Sequence, residues 1–306
     1  MKHKKLIILI IVCVIVFIAS MSAGVAMMVN TIDWKDLQGP GQLMEKLNGL
    51  IQDGPFANLF KGKTIGMTID ESFDLDLTGI KTIRIVGVSE EIKVATTAGL
   101  QAECSLKGDY LTFLNPITYT SEKNGDTLLI HAKYPNFGIV SVSLVQEVLI
   151  PVDFTGNIQV NNVSGSTTVI GEAGLKWTGL NCKNVSGSIQ INNTEMPAIG
   201  FTSISGSVNL GNCTADVSGD TVSGSINLIT GNFFGATLKS VSGAIAVQMP
   251  TTSSCEFTFK SVSGSFSING LPAEFSNQSS RQTVGKINDG QYKLLVETVS
   301  GSLNIS

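Results

Sequence analysis

The chain has 306 residues, of which 42% are hydrophobic and only 14% are charged, with 32 glycines and a net charge of −4. This composition excludes a disordered chain and is typical of short strands and turns rather than helices. The sequence has no basic patch that could contact phosphates, so we expect no nucleic-acid partner.

The N-terminus has the features of a membrane anchor. Lys2, Lys4 and Lys5 precede an uncharged stretch over 6–29, which is long enough to span a hydrocarbon core of about 30 Å. Because lysines stay on the cytoplasmic side, residues 1–29 are predicted to form one transmembrane helix with the bulk of the chain extracytoplasmic. The alternative is a signal peptide cleaved at Gly24-Val25-Ala26, which would release a secreted protein.

Two regions separate this anchor from the second half of the chain. Residues 30–63 read as a juxtamembrane linker, in which Leu43, Leu47 and Leu50 follow the spacing of a short amphipathic helix. Residues 64–155 hold 12 acidic and 6 basic residues and alternate apolar with polar positions, as in Ile83-Arg84-Ile85. With a hairpin signal at Asn124-Gly125, this region is predicted to be a strand-rich, acidic opening region.

A repeat occupies residues 156–306. Seven copies of the motif Val-Ser-Gly-Ser, or close variants of it, begin at Val163, Val185, Ile204, Val222, Val241, Val262 and Val299. A degraded eighth copy is expected at Thr283–Ile287, inside the long interval before the last copy. The other intervals of 18 to 22 residues suit one turn of a β-solenoid.

Apolar residues recur at fixed distances from the Val or Ile of each copy, which is numbered position zero. They stand at −5, −3, +4 and +6, and position zero is also interpreted as facing inward. Because side chains alternate along a strand, this assignment requires a bend or bulge between −3 and zero. The Gly at +2 is expected at a tight corner with no room for a Cβ atom.

Stacked coils would bury this repeating apolar face in a continuous core. The predicted fold is therefore all-β, a parallel β-solenoid of about seven or eight coils, with right-handed crossovers favoured. An all-β sandwich is the alternative, but it gives no reason for seven copies of one corner.

Stacking would place the Ser and Gly of each motif in a ladder along one edge. We expect the Ser hydroxyls to bond neighbouring backbone, and the ladder to serve as a contact surface. Its members are Ser164, Gly165, Ser186, Gly187, Ser205, Gly206, Ser223, Gly224, Ser242, Gly243, Ser263, Gly264, Ser300 and Gly301.

The groups needed for catalysis are sparse, so no enzyme, cofactor or metal site is predicted. The chain has two histidines, His3 and His131, and only His131 would lie outside the membrane. Asp216 and Asp220 are the acidic pair of the repeat that lies closest in sequence. We interpret them as residues of a solvated loop and not as a catalytic pair. Because no CxxC pair occurs, we favour free buried thiols for Cys104, Cys182, Cys213 and Cys255. Disulfide bonds between them are the alternative, since export would permit them.

The repeat resembles the putative-adhesin family of bacterial β-strand-repeat proteins, a domain family of unknown function. Thr221–Ile226 and Thr298–Leu303 carry the resemblance, and Val284–Gly290 is similar to the Gly-rich turn before the family's last copy. The resemblance covers residues 64–306, approximately. The resemblance implies a parallel β-solenoid at the cell envelope, and it implies no reaction.

Four functions follow as hypotheses. The first is a non-enzymatic, membrane-anchored module that binds or scaffolds an envelope polymer. The second is an accessory of envelope-stress signalling that holds a membrane protein partner. The third is a β-helical carbohydrate enzyme. The fourth is self-association, through an open edge expected at the final strand Leu303–Ile305.

Overall fold

The computed structural model describes residues 65–112, 115–135 and 139–306, which form strands and no helix. No helix that is long and apolar enough to cross a membrane occurs within these ranges. The predicted anchor (1–29) and linker (30–63) lie outside the described residues.

Seven strands precede the repeat. They are β1 (Ile65–Leu75), β2 (Thr82–Gly87), β3 (Glu91–Thr97), β4 (Ala102–Thr112), β5 (Thr118–Asn124), β6 (Thr127–Lys133) and β7 (Ile139–Pro151). β5 and β6 are neighbours joined by two residues, with Gly125 at φ 63°, as the Asn-Gly signal predicts.

The repeat supplies two strands per copy and one additional hairpin. Its strands are β8 (Asn157–Ser164), β9 (Thr167–Ile170), β10 (Gly179–Ser186), β11 (Ile189–Asn192), β12 (Glu195–Ser205), β13 (Val208–Gly211), β14 (Thr214–Ser223), β15 (Ile226–Ile229), β16 (Ala236–Ser242), β17 (Ile245–Gln248), β18 (Cys255–Ser261), β19 (Phe266–Ile268), β20 (Ala273–Gln278), β21 (Gln282–Ile287), β22 (Tyr292–Thr298) and β23 (Leu303–Ile305).

The strands form two sheets. The order is β1-β4-β7-β3-β9-β11-β13-β15-β17-β23-β19 in the eleven-stranded sheet and β20-β21-β18-β22-β16-β14-β12-β10-β8-β2-β6-β5 in the twelve-stranded sheet. Each copy places its first strand in the twelve-stranded sheet and its second in the eleven-stranded sheet. Equivalent residues of successive copies pair in parallel, for example Leu180 with Ile199 and Ile189 with Val208. The all-β, parallel-solenoid prediction is confirmed.

The core lies between the two sheets, at the repeating apolar positions. Side chains at −5, −3, +4 and +6 are buried in every copy except the sixth, where Phe266 and Ile268 are half-buried because β19 is an edge strand. Cys182 and Cys255 face this core, and all four described cysteines are free and buried. The preference for free thiols is confirmed.

The solenoid begins before the first recognised copy. β2 pairs with β8 and β3 pairs with β9, with Ile83 beside Ile158 and Val94 beside Val169. The segment Val88–Glu91 is therefore a divergent copy, in which Glu90 replaces the corner Gly. Its Oε2 atom accepts hydrogen bonds from the Val88 and Ser89 N–H groups at 2.6 and 2.7 Å.

Chain order and stacking order differ at both ends. The last copy, β22 and β23, lies between the fifth copy (β16, β17) and the sixth (β18, β19). At the other end, β6 and β7 stack outside β2 and β3. The prediction of an open edge at Leu303–Ile305 is wrong, because β23 is paired on both sides.

The prediction of a degraded eighth copy at Thr283–Ile287 is also wrong. Thr283–Ile287 belongs to β21, which pairs antiparallel with β18 on one side and with β20 on the other. This segment therefore forms a hairpin with β20 at the margin of the twelve-stranded sheet instead of another coil.

The chain divides into two compact units. The coils described above belong to the larger one, which comprises 69–108, 119–132 and 143–306. The described part of the smaller unit draws on 65–68, 109–112, 115–118, 133–135 and 139–142. Within it, the Thr68 hydroxyl donates to Asp109 at 2.7 Å, and the Ile117 N–H donates to the Tyr110 hydroxyl oxygen at 3.1 Å.

Candidate functional site: the repeat edge

The Val or Ile at position zero faces solvent, so its predicted inward orientation is wrong. The seven side chains retain between 39 and 67% of their exposure, although they are β-branched and apolar. They are Val163, Val185, Ile204, Val222, Val241, Val262 and Val299.

The side chain that faces inward is that of the polar residue at −1, which immediately precedes the Val or Ile. Inward positions therefore run −5, −3, −1, so no bulge interrupts the first strand, and the change of parity falls at the Gly corner between −1 and +4. These seven side chains are all buried: Asn162, Asn184, Ser203, Thr221, Ser240, Ser261 and Thr298. Hydrophobicity alone suggested the opposite assignment.

The Gly of each motif forms the expected tight corner. A Cβ atom on Gly206 would lie 2.2 Å from the carbonyl oxygen of Gly187, and the φ angle of Gly206 is 147°. The backbone of successive corners is bonded as well, since the Gly187 N–H donates to the Ser205 carbonyl at 3.2 Å. The glycines therefore permit the close approach of adjacent coils.

The Ser of each motif is exposed beside the apolar residue. Hydroxyl bonds to neighbouring backbone are found for Ser263 and Ser300, both at 3.4 Å, and for no other motif Ser at +1 of the described copies. The predicted backbone-bonding role of the hydroxyl is thus wrong for five of the seven, and in four of these the Ser carbonyl accepts the N–H of the neighbouring corner Gly instead. Their hydroxyls are left facing solvent.

We call the exposed Val or Ile and Ser of the seven copies the repeat edge. In stacking order its apolar members are Val163, Val185, Ile204, Val222, Val241, Val299 and Val262. At about 4.8 Å per coil, the edge presents a column of methyl groups beside a column of hydroxyls over roughly 29 Å. It contains no charged residue.

Charged side chains flank the edge at position −2. Glu297 of the seventh copy lies 3.9 Å from Lys239 of the fifth and 3.1 Å from Lys260 of the sixth. These exposed pairs contribute little stability. The two ion pairs agree with the stacking order, because Glu297 of the seventh copy contacts a lysine of the copy on each side of it.

An apolar depression of about 300 Å³ adjoins the edge at its first three copies. Val86, Val163, Val185 and Ile204 contribute to its lining. The edge therefore has a recess as well as a projecting column.

The residues weighed for catalysis do not assemble. Asp216 and Asp220 lie on the same face of β14 four residues apart, which separates them by roughly 13 Å along the strand. That exceeds the spacing of the carboxyl pairs of glycosidases. His131 Nε2 lies 3.6 Å from Glu122 Oε1. No group of three or more metal-binding side chains is found within the described ranges.

The thiols are poor nucleophiles. Burial raises the pKa of Cys182 to about 12 and that of Cys255 to about 11. Burial also raises the pKa of Cys104 to about 11, because desolvation disfavours its thiolate.

Fold and edge together define a parallel β-solenoid built on a repeated Ser-Gly corner. A family profile described as Toastrack DUF4097 matches residues 80–245 and 155–306. The chain belongs to this Toastrack family, a domain of unknown function, as its resemblance to bacterial β-strand-repeat proteins led us to expect. No curated protein matches the chain.

Solved structures show distant similarity. A "putative cell adhesion protein" of Clostridium sporogenes is 12% identical, with 78% of this chain and 99% of that chain covered and a TM-score of 0.41. A "putative adhesin" of Bacteroides fragilis is 11% identical, with 78% and 97% covered and a TM-score of 0.41. A "putative lipid binding protein" of Parabacteroides distasonis is 14% identical, with 78% and 96% covered and a TM-score of 0.42. Similarity of this degree carries no argument about function.

Proposed function

We propose that the chain is a non-enzymatic, adhesin-like binding module of the cell envelope, anchored in the membrane by residues 1–29. The repeat edge provides its contact with envelope material outside the membrane. The module acts by holding that material and transforms no substrate.

The single observation that supports this proposal is the exposed apolar column of the edge. Seven β-branched side chains in consecutive coils remain about half exposed, although a polar residue there would be better hydrated. Contiguous exposed apolar surface of this kind marks interaction sites. Repetition at each coil suits an extended partner that makes the same small contact many times.

The chemistry of the edge predicts how binding should respond to salt. Because the edge carries no charge, contact through it depends on apolar burial and hydroxyl bonds. Retention should therefore be unchanged between low and physiological ionic strength, whereas binding through charged groups would weaken.

The test is retention of the full-length chain, purified in detergent, by cell-wall, membrane and extracellular-matrix fractions of the source cells. A variant with Val185, Val222, Val241 and Val299 all changed to Thr keeps β-branched shape and strand propensity at each position. We expect saturable retention of the native chain by a wall or matrix fraction, and loss of most of it in the variant.

The matched control changes Ile170 and Ile229 to Thr. These side chains are 45 and 38% exposed but lie at +7, off the edge. Equal loss in control and edge variants would contradict the proposal. Retention only by membranes that contain one particular protein would support the signalling function instead, and sedimentation of the chain alone would support self-association.

A further inference from the structure

A cleft separate from the repeat edge lies where β10, β12 and β14 begin. It encloses about 550 Å³ and is lined by apolar side chains, including Trp177, Met196 and Phe234. Glu195, Asp216 and Lys176 also contribute to the lining. The cleft is assembled from the segment before β10, the first residues of β12 and β14, and Phe234 in the segment before β16.

One polar group in the wall of the cleft has no partner. Trp177 is only 1% exposed, and its Nε1 atom makes no hydrogen bond to any described residue. A buried indole N–H normally donates to an acceptor. The Nε1 atom has almost no exposed surface, so this N–H group is not open to a ligand in the cleft, and Trp177 contributes only apolar wall.

The rim of the cleft is aromatic. Phe234 is 48% exposed, and its ring centroid lies 5.2 Å from that of Tyr292 at an interplanar angle of 51°. The exposed ring provides an apolar surface of the size of one sugar ring. Burial of that surface is the main apolar gain that a ligand could obtain here.

Two carboxylates complete the cleft. Glu195 pairs in register with Thr214, and Asp216 follows two residues further along β14, on the neighbouring strand. Both are exposed, and neither takes part in an ion pair of the described residues. They can each accept two or more hydrogen bonds. The general acid of a glycosidase is itself buried against apolar side chains, whereas both of these carboxylates are exposed, so this pair is suited to binding.

The cleft continues onto the outer face of the twelve-stranded sheet. The adjoining part, of about 340 Å³, shares Thr178 and Asp216 with the first and adds the amides of Asn157 and Asn181. Gly179 of β10 lies between Asn157 on β8 and Ala198 on β12, and its missing side chain leaves room between them. An amide both donates and accepts hydrogen bonds, as a sugar hydroxyl does.

We propose that this cleft binds a neutral glycan chain. One sugar ring lies against Phe234, and its hydroxyl groups donate to Glu195 and Asp216. The next ring lies over Gly179, within reach of the amides of Asn157 and Asn181. The carboxylates disfavour an anionic glycan through like-charge repulsion.

This proposal does not depend on binding through the repeat edge, so either one can be refuted while the other stands. The test measures binding of the full-length chain, in detergent, to hexamers of glucose, mannose, galactose and N-acetylglucosamine by calorimetry. We expect saturable binding of at least one hexamer. Asp216→Asn and Phe234→Ala should each weaken it by roughly tenfold, since a carboxylate acceptor or the ring surface is lost.

The sharpest variant is Ala198→Trp, which fills the cleft from an exposed, outward position and should abolish binding. Its matched control is Gln190→Trp, at an exposed mid-strand position of the other sheet, which should leave binding unchanged. A Val222→Thr change on the repeat edge should also leave it unchanged.

Four results would overturn the proposal. The first is no heat of binding with any of the four hexamers by a chain whose circular dichroism shows folded strands. The second is equal binding by the Ala198→Trp variant. The third is displacement of the hexamer by a lysine hexapeptide, which would assign the carboxylates to a cationic peptide. The fourth is the release of new reducing ends from the hexamer, which would show that the cleft hydrolyses the glycan.

Discussion

The first five copies of the repeat and the last two carry the same motif but are joined differently. Copies one to five stack in chain order, whereas the seventh inserts between the fifth and the sixth. The motif thus determines the geometry of a coil, with its buried positions and Gly corner. It does not determine which coil becomes the neighbour, because every coil offers the same backbone edge and nearly the same apolar face.

The buried polar column differs between the two regions as well. In the last two copies, the Ser261 and Thr298 hydroxyls accept the N–H groups of Gly264 and Gly301 at 2.6 and 2.7 Å. In the third to fifth copies, the hydroxyls of Ser203, Thr221 and Ser240 have no partner within the described structure. The same position therefore stabilises the corner at the end of the stack and contributes little in its middle.

The largest effect is expected from Gly206→Ala in the middle of the stack. The new Cβ atom would meet the Gly187 carbonyl, and the φ angle is unfavourable for any other residue, so we expect a loss of roughly 2–5 kcal/mol in the free energy of unfolding. Urea unfolding would measure it. Gly79→Ala is the control, because Gly79 has φ 71° but nothing within 4 Å of the added atom. Equal losses would refute the close-packed corner.

Alkaline pH should affect the middle of the stack more than its end. The folded-state pKa of the Cys182 thiol is raised from 9.0 to about 12 by burial. A raised folded pKa means that the stability is fully present below pH 9 and is lost as the pH rises towards 12, at up to about 1.4 kcal/mol per unit for this group. Between pH 9 and 11 both thiols contribute, so the slope should be reduced equally in Cys182→Ala and in Cys255→Ala. Between pH 11 and 12 only Cys182 still contributes, so the reduction there should be larger in Cys182→Ala, and identical slopes in that interval would argue against the difference.

A smaller contrast is expected within the polar column. Thr298→Val leaves the Gly301 N–H without its acceptor, which should reduce the free energy of unfolding by roughly 1–3 kcal/mol. Ser240→Ala removes a hydroxyl that has no partner and should change it by less than about 0.5 kcal/mol. Thermal unfolding of the two variants measures the contrast, and a larger loss for Ser240→Ala would contradict it.

Several features of the fold could be predicted from the sequence because they depend on one coil at a time. The apolar positions of Ile158, Val160 and Val169, and the Gly corner, follow from alternation and steric space. The copy at Val88–Glu91 was missed because Glu90 stands where the motif has Gly. The spacing of its apolar residues from Ile83 to Val94 was the signal that could have found it.

The remaining features depend on relations between coils. The outward orientation of Val222 follows from the inward orientation of Thr221, and both fit a continuous alternation that hydrophobicity alone conceals. Stacking order cannot be predicted from nearly identical coils. The cleft at Trp177 was also missed, since its wall combines segments that lie about 20 residues apart and belong to different coils.

The most direct test of the account places one charge at two points of the repeat edge. Val222 is the fourth of seven coils in stacking order, and Val262 is the last. Lysine can extend its charge into solvent at either point without loss of the fold. Val222→Lys divides the apolar column into two short parts, so its dissociation constant for the retaining envelope fraction should rise about tenfold, whereas Val262→Lys should change it by less than about threefold. Equal effects of the two changes, or none, would contradict binding through a continuous repeat edge.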